Sequence, residues 1–440
     1  MRNKKKMKIK VIGLYIGAMV LIAGCGKIAS ENKEPMRIEA IEVGGQTAAG
    51  GIEKESGSAE TVESVIRAES ASTPQPTAAP QPTPMPTPEP TPIPTPEPAE
   101  VSVIMVGDIL LHTPVEAAAL QEDGSYSFTA IFENMKDDIQ AADLAIVNQE
   151  VILGGKELGI SGYPAFNAPY EVGDALVDAG FDLICQGTNH ALDKGKKGLL
   201  NCLNFWQEQY PEIGVLGIHD SQEDQDQIYV YEQDGIRIAV LNYTYGTNGI
   251  SLPQGMPYAV DMLDEAKVVR DLQLAEEIAD FTIVCPHWGT EYQLKQSSNQ
   301  EKWAKLFVKN GADLVLGTHP HVIQPIEWVK DEETGNEMLV YYSLGNFVNW
   351  TSSSGDGIAN RMVGGMAQVS ITMEAGKAVI AEYDIEPVVC HLTPGVNGVT
   401  VYKLSEYTEE LAGENQIIKQ DGAFSLEYCQ NLCNKVWPRE

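Results

Sequence analysis

From Val101 onward, short apolar runs alternate with segments of helical period. VSVIMVGD (101–108) is rich in strand formers, and FTAIFENMKDDIQAA (128–142) spaces its apolar groups as a helix does. DLAIVNQE (143–150) follows. APYEVGDALVDAG (168–180) precedes FDLICQGTNH (181–190), and GKKGLLNCLNFWQEQ (195–209) precedes IGVLG (213–217). QIYVYEQDGIRIAVLNYTY (227–245) reads as a hairpin turning at Asp234-Gly235. A long helical stretch from Asp261 to Ala279 leads into FTIVCPHWG (281–289), and NQEKWAKLFVKNGA (299–312) into DLVLGTHPH (313–321). MLVYYSLGNF (338–347), GGMAQVSITMEAG (364–376) and KAVIAEYDIEPVV (377–389) read as closing strands. Early alternation with late hairpins predicts an α/β sandwich containing a mixed sheet. This domain is expected over residues 101–392, with a helical extension, 393–440, packed on it.

The chain before Val101 has a different texture. MRNKKKMKIK is basic, VIGLYIGAMVLIAG is apolar, and Cys25 follows IAG directly. Residues 1–24 therefore read as a secretory signal. The small residues before Cys25 resemble a bacterial lipobox, which implies that Cys25 becomes a lipidated first residue. The alternative is an uncleaved membrane anchor. Both place the rest of the protein on the outer face of the cytoplasmic membrane. Residues 25–100 hold no sustained apolar period. Thr73 to Pro98 has proline at nearly every second position, which favours polyproline II, and at ~3.1 Å per residue it would reach on the order of 80 Å as a stalk.

Charge and cysteine narrow the choice of function. The chain has 62 acidic against 30 basic residues, and six of the basic groups lie in the first 24 positions. So acidic a chain repels polyanions over most of its surface, away from any local metal centre, which speaks against nucleic-acid binding. Cys185, Cys202 and Cys285 sit in apolar runs and read as small buried residues, while Cys429 and Cys433 share a helix face. No dense disulfide framework or CxxC motif is present.

Five apolar runs end in metal-ligand types. Asp108 ends the first, with His112 four residues on, and Glu150 ends the second. Asn189 and His190 end the third, His287 the fourth, and His319-Pro-His321 the fifth. Taken singly, each has an ordinary role: a turn or cap for Asp108 and Asn189, a packed ring for His287, a turn for His-Pro-His. Their shared position, where α/β sheets place their sites, makes one common site the better reading. In an extended segment, residues i and i+2 point to one side, so His319 and His321 are expected to enter it together. Oxygen and imidazole ligands without cysteine suit Mn, Fe, Zn or Mg. Asp108, Glu150, Asn189, His287, His319 and His321 are more than one ion needs and suit a pair of divalent ions. His190 is left free to act as proton donor.

VGDILLH, ADLAIVNQE, QGTNHALDKG, PHWGTEY, GTHPHVIQPIE and YYSLGNF occur in that order. They resemble the ordered motifs of the CapA capsule-synthesis family, over about Val101 to Glu386. That family is similar to calcineurin-like metallophosphoesterases, so the resemblance implies a four-layer α/β/β/α sandwich with mixed sheets. It also implies roles. Asp108 and His321 would hold a first metal. Asn189, His287 and His319 would hold a second. Glu150 stands where the phosphoesterases place a bridging aspartate, and His190 would be the acid beside the metals. Glu291 and Asn346 lie in family motifs as further ligands or site-lining residues. The phosphoesterase Asp-x-His spacing is not met by His112, whose place as a ligand stays open. Gln149 and Thr188 replace a hydrophobic residue and an asparagine usual at those points, and neither removes a ligand. His219 and His391 match no motif and read as ordinary surface or core residues.

The resemblance implies a lipid-anchored surface protein taking part in biosynthesis, export or retention of a poly-γ-glutamate capsule. Its partners would be that polymer and a membrane capsule-synthesis complex. One alternative is an extracytoplasmic metal-dependent hydrolase, a phosphoesterase or amidase, unrelated to capsule. Another is a non-catalytic polymer-binding scaffold, against which the near-complete ligand set argues.

Overall fold

The structure, a computed structural model, describes residues 99–438. The signal segment, Cys25 and the proline-rich stretch lie outside the described residues. In chain order the elements are β1 (Glu100–Ile109), α1 (Thr113–Ala119), α2 (Lys136–Ala141), β2 (Leu144–Asn148), α3 (Glu171–Ala179), β3 (Leu183–Cys185), α4 (Gly195–Gln209) and β4 (Gly214–Leu216). There follow α5 (Gln222–Gln225), β5 (Tyr229–Gln233), β6 (Ile236–Thr244), α6 (Glu265–Ile278), β7 (Phe281–His287), α7 (Ser298–Lys309), β8 (Leu314–Leu316) and β9 (Ile326–Lys330). The chain closes with β10 (Glu337–Tyr341), β11 (Asn346–Val348), β12 (Val363–Glu374), β13 (Lys377–Leu392), β14 (Val399–Lys403), α8 (Glu409–Glu414) and α9 (Leu426–Val436).

The strands form two mixed sheets. The first runs β14-β13-β12-β1-β2-β3-β4, with β11 beside the end of β1. Its β1 to β4 half is parallel and its β12 to β14 half antiparallel. The second runs β5-β6-β7-β8-β10-β9, parallel in the middle with antiparallel edges. Strand period separates the second sheet's two faces. Ile238, Ile283, Leu314, Leu339 and Tyr341 enter the large core shared with the first sheet. Their neighbours Leu241, Val284, Val315 and Val340 instead pack with Val268 and Leu272 of α6 and with Phe307 and Val308 of α7. Helices α3 and α4 make the crossovers β2 to β3 and β3 to β4, and bury Leu176, Leu199 and Leu203. The result is helix, sheet, sheet and helix: the four-layer α/β sandwich expected.

Local departures have local causes. Residues 128–142 do not form one helix. A 3-10 turn at Thr129–Ile131 and the short α2 replace it, while Phe128, Ile131, Phe132, Met135 and Ile139 keep the buried stripe that the helical period marks. The helix expected from Asp261 starts only at Glu265. Asp261 and Met262 are held extended by Asp261 N–H to Gly217 O (2.9 Å) and a bridge from Met262 to Thr244, and the Asp264 carboxylate then caps the helix. MLVYYSLGNF is not one strand either: β10 belongs to the second sheet and β11 to the first. The segment after 392 is not purely helical, because β14 pairs with β13 before α8 and α9 begin. The hairpin at Asp234-Gly235 forms as expected, with positive φ at both turn residues (53° and 81°). No helix among the described residues is long and apolar enough to cross a membrane.

Candidate metal centre

The ligand-bearing strands are shared between the sheets, β1, β2 and β3 in one and β7 and β8 in the other. Their carboxyl ends meet where the sheets face each other. Asp108 lies in the last turn of pleat of β1 and is fully buried. A Cβ on the preceding Gly107 would run into the carbonyl of Gly345, so only glycine lets β1 and the Gly345–Asn346 segment close this tightly. Asp108 N–H donates to that carbonyl (3.0 Å), and Asn148 Nδ2 donates to Asp108 Oδ1 (2.9 Å).

His319 and His321 do not share a face of an extended segment. Both are left-handed, with φ of 96° and 58°, and they form a tight turn after β8. The turn still brings both rings inward, with centroids 5.7 Å apart. Of seven non-glycine residues with positive φ among those described, four (His319, His321, Tyr292 and Asn248) touch this region. Such backbone costs about 1–3 kcal/mol per residue and persists where the surroundings enforce it.

Glu150 is the hub. Its Oε1 lies 3.6 Å from His287 Nε2, 3.6 Å from His321 Nε2 and 4.0 Å from His190 Nε2. Donor atoms within 4.8 Å of one another group as Asp108, Glu150 and His321, as Glu150, His287 and His319, and as Glu291, His319 and His321. Asn189 joins through Oδ1, which accepts from His287 Nε2 at 2.8 Å. The structure thus brings together Asp108, Glu150, Asn189, His287, His319 and His321. His190 stands beside them, with Nδ1 donating to Asp193 Oδ2 (2.7 Å) and Nε2 turned toward Glu150. Glu291 is exposed at the rim. Asn346 is fully buried, its Oδ1 3.1 Å from His321 Nδ1. His112 belongs to none of the three groups; its ring packs edge-on against Phe166 and Trp350 (5.1 and 6.0 Å) in an adjoining wall.

Charge in this pocket is balanced unusually. Burial, then the charge of Glu150, pushes the Asp108 carboxyl above its ordinary range, against the opposing pull of His321. Burial also acts to raise Glu150, but His321 and His287 outweigh it and hold that carboxyl well below the usual range. Burial disfavours the charged form of His321, yet Glu150 and the bond to Asp108 push it up to about 9. His319 is driven well below the ordinary imidazole value by burial and by its two histidine neighbours. His112 falls to about 4, from burial and then His321.

These residues fit a divalent cation. Both Glu150 oxygens and His319 Nδ1 are buried and find no hydrogen-bond partner among the described residues. An unpartnered buried carboxylate is expensive, and a bound cation removes that cost. The donor set is oxygen and imidazole, without thiolate. Several supporting residues escape strand-end reasoning. Thr318 meets His287 Nδ1 at 3.0 Å, and Asn248 Oδ1 accepts from Asn189 Nδ2 at 3.2 Å. Asn148 and Asp193 act as given above. Asp193, three residues after His190 in a tight turn, carried the one readable signal. Two histidines lie elsewhere. His219 is buried against Asp224 and Asp261, and His391 is a buried core ring bonded to the Tyr407 hydroxyl (2.9 Å).

Comparisons with known proteins bear on the same residues. Residues 102–351 match the family described as bacterial capsule synthesis protein PGA_cap. The chain is 28% identical to the capsule biosynthesis protein CapA of Bacillus anthracis over 268 residues, 57% of this chain and 61% of that one. It is 28% identical to the PGA biosynthesis protein CapA of Bacillus subtilis (strain 168) over 264 residues, 57% of this chain and 64% of that one. The chain thus spans a little under two thirds of the length of each relative. Among solved structures, similarity extends to a phosphatase from Mycoplasma pneumoniae (16% identity, 67% of this chain and 95% of that one, TM-score 0.42). It extends also to the calcineurin-like phosphoesterase YfkN of Bacillus subtilis (12% identity, 76% of this chain and all of that one, TM-score 0.39). The family match covers more than half of the chain and takes in every residue of the buried donor cluster, from Asp108 to His321. The chain belongs to the bacterial capsule synthesis protein family PGA_cap.

Proposed function

We propose that this protein takes part in poly-γ-glutamate capsule biosynthesis as a metal-dependent hydrolase-like enzyme with a dinuclear site, held at the outer face of the cytoplasmic membrane through Cys25. The observation that carries the reading is Glu150. It belongs to two of the three donor groups at once, and neither of its buried oxygens has a partner among the described residues. This supports a carboxylate that two cations would share, one of which Asp108 and His321 would hold and the other His287, His319 and Asn189. Two divalent ions here would supply Lewis-acid polarisation of a carbonyl or phosphoryl oxygen and a bound water of lowered pKa. The chain's own residues do the rest. The Asp193 carboxylate fixes His190 with Nδ1 protonated, so Nε2 faces the pocket and handles a proton there. Asn346 and Asp108 orient the His321 ring through Nδ1, which leaves Nε2 toward Glu150. Tyr245 covers the His319 ring, with centroids 4.5 Å apart, and shields that side from water.

The test is elemental analysis of the purified chain, followed by assays on a chromogenic phosphodiester and on poly-γ-glutamate of defined length. Two equivalents of metal and metal-dependent shortening or transfer of the polymer are expected. Metal-dependent cleavage of the phosphodiester alone would favour a phosphoesterase unrelated to capsule, and absence of metal would end the reading.

A further inference from the structure

A cavity of about 710 Å³ adjoins His321 and is lined by His112, Tyr292, Asn349, Trp350 and Arg361. Arg361 sits in a 3-10 turn (Ile358–Met362), ten residues past the end of the family match. Its guanidinium carbon lies 3.6 Å over the Tyr292 ring, and Nη1 donates to Thr351 Oγ1 at 3.1 Å. Stacking and a single hydrogen bond fix the plane of the fork while leaving most of its N–H groups uncommitted. No carboxylate among the described residues pairs with it, although acids outnumber bases two to one in this chain. A second unsatisfied donor belongs to Asn349, a residue in the wall of the same cavity. Asn349 is 2% exposed, and its Nδ2 has no hydrogen-bond partner among the described residues. A buried unpaired donor costs free energy that an acceptor recovers. A largely uncommitted guanidinium in an aromatic-walled cavity, with an unsatisfied amide in its wall, is the complement of an anion.

The cavity is tied to the metal centre through the backbone. Asn346 Nδ2 donates both to Arg361 O (3.0 Å) and to His321 O (3.1 Å), while its Oδ1 faces His321 Nδ1. The Tyr292 ring lies 6.0 Å from the His321 ring. The one carboxylate lining the cavity, Glu291, groups with His319 and His321 on the cation side.

We infer that Arg361, assisted by Asn349, binds an oxyanion carried on the substrate, a carboxylate or a phosphate, and thereby sets which anionic substrates reach the metal centre. The inference rests on the metal-dependent reading above. The test uses the full chain and isothermal titration calorimetry. Mn²⁺ is titrated first into wild type and Arg361→Gln, and equal metal binding is expected. Glutarate and inorganic phosphate are then titrated into the Mn²⁺-loaded proteins. Wild type should bind at least one probe about ten- to a hundredfold tighter than Arg361→Gln, with Arg361→Lys between them and Asn349→Ala also weakened. Preference for glutarate identifies a carboxylate, and preference for phosphate a phosphoester. Unchanged probe affinity in metal-loaded Arg361→Gln, or no binding of either probe to wild type, overturns the inference and leaves the metal site standing. Loss of Mn²⁺ only in Arg361→Gln also overturns it, by making Arg361 a support of the metal site. Wild type that takes up no Mn²⁺ overturns instead the reading on which it rests.

Discussion

His219 and Glu150 are both buried among groups of opposite charge, but their hydrogen bonds are arranged differently. His219 Nδ1 meets Asp224 at 2.8 Å, and Nε2 meets Asp261 at 2.9 Å. The other Asp261 oxygen accepts from Gln225 (2.8 Å) and pairs with Lys267 (3.1 Å), which also reaches Asp271 (2.8 Å). Each of these charges has a counter-charge in contact. Glu150 has imidazoles at 3.6 Å and beyond, and no hydrogen bond to either oxygen. The first cluster is complete as protein alone. The second has the residue types of the first with the closing contacts missing. Burial and composition do not separate a closed cluster from an open one here. An account of each polar atom's partners does.

The comparison breaks most visibly in stability. Asp261→Ala leaves His219 and Lys267 short of a partner and should cost about 3–5 kcal/mol in urea unfolding. Glu150→Gln, measured in chelator, should cost less than Asp261→Ala, since Glu150 has no hydrogen bond to lose and gives up only its attraction for His287 and His321 at 3.6 Å. Equal costs for the two would erase the distinction.

Metal should act on one cluster alone. Mn²⁺ at a hundred to a thousand times its Kd should stabilise wild type by about 3–4 kcal/mol, read as a rise in Tm that chelator reverses. Glu150→Gln or His319→Ala should abolish the rise, and His219→Ala should keep it.

Proton concentration should act on the other. Burial opposes charge on His219, but its bonds to Asp224 and Asp261 push its pKa up to about 9, above the ordinary value of 6.5. A raised imidazole pKa contributes stability fully below the unfolded value and loses it as pH climbs through the folded one. Unfolding free energy should therefore fall between pH 6.5 and about 9, by on the order of 2–3 kcal/mol. His219→Gln should reduce that slope, the remainder coming from His321, which is raised over the same window; a slope unchanged by this variant would show that the cluster does not titrate as a unit.

The smallest effect expected is that of a support rather than a ligand. Asn346→Ala should weaken metal binding about tenfold or somewhat more in calorimetry, by freeing the His321 ring. It should leave the pH slope set by His219 untouched.

The donor cluster was legible because apolar strand runs stop at residues that strands have no reason to end on: Asp108, Glu150, His287 and His319. Their convergence followed from the rule that parallel strands deliver sites at their carboxyl ends. The backbone at His319-Pro-His321 was not legible, because a left-handed pair on either side of proline is imposed by tertiary contacts such as His319 N–H facing Asp108 (3.3 Å). The broken helix at 128–142 was hidden because its buried positions, 128, 131, 132, 135 and 139, keep the period of a helix although the backbone between them does not stay helical. The division of MLVYYSLGNF between two sheets has no marker except Gly345. Arg361 carried no signal at all, since its significance lies in a cavity whose other lining residues are 8 to 251 positions away.

That division has a consequence for how the chain acquires its fold. β10 completes the second sheet, the chain crosses at Tyr342–Gly345, and β11 lies against β1, the first strand of the domain. The bond from His321 to Asp108 closes a loop of 213 residues. Loop closure on this scale is slow, because its entropic cost comes before any contact that rewards it. The second sheet can collapse on one continuous segment of chain, and so can the β1 to β4 half of the first, but β11 to β14 must return to β1 from beyond the second sheet, and the donor pocket exists only after the two sheets have docked and the crossing has locked. Uptake of metal during refolding should accordingly lag behind the burst of secondary structure, and should report the last step of assembly rather than the first.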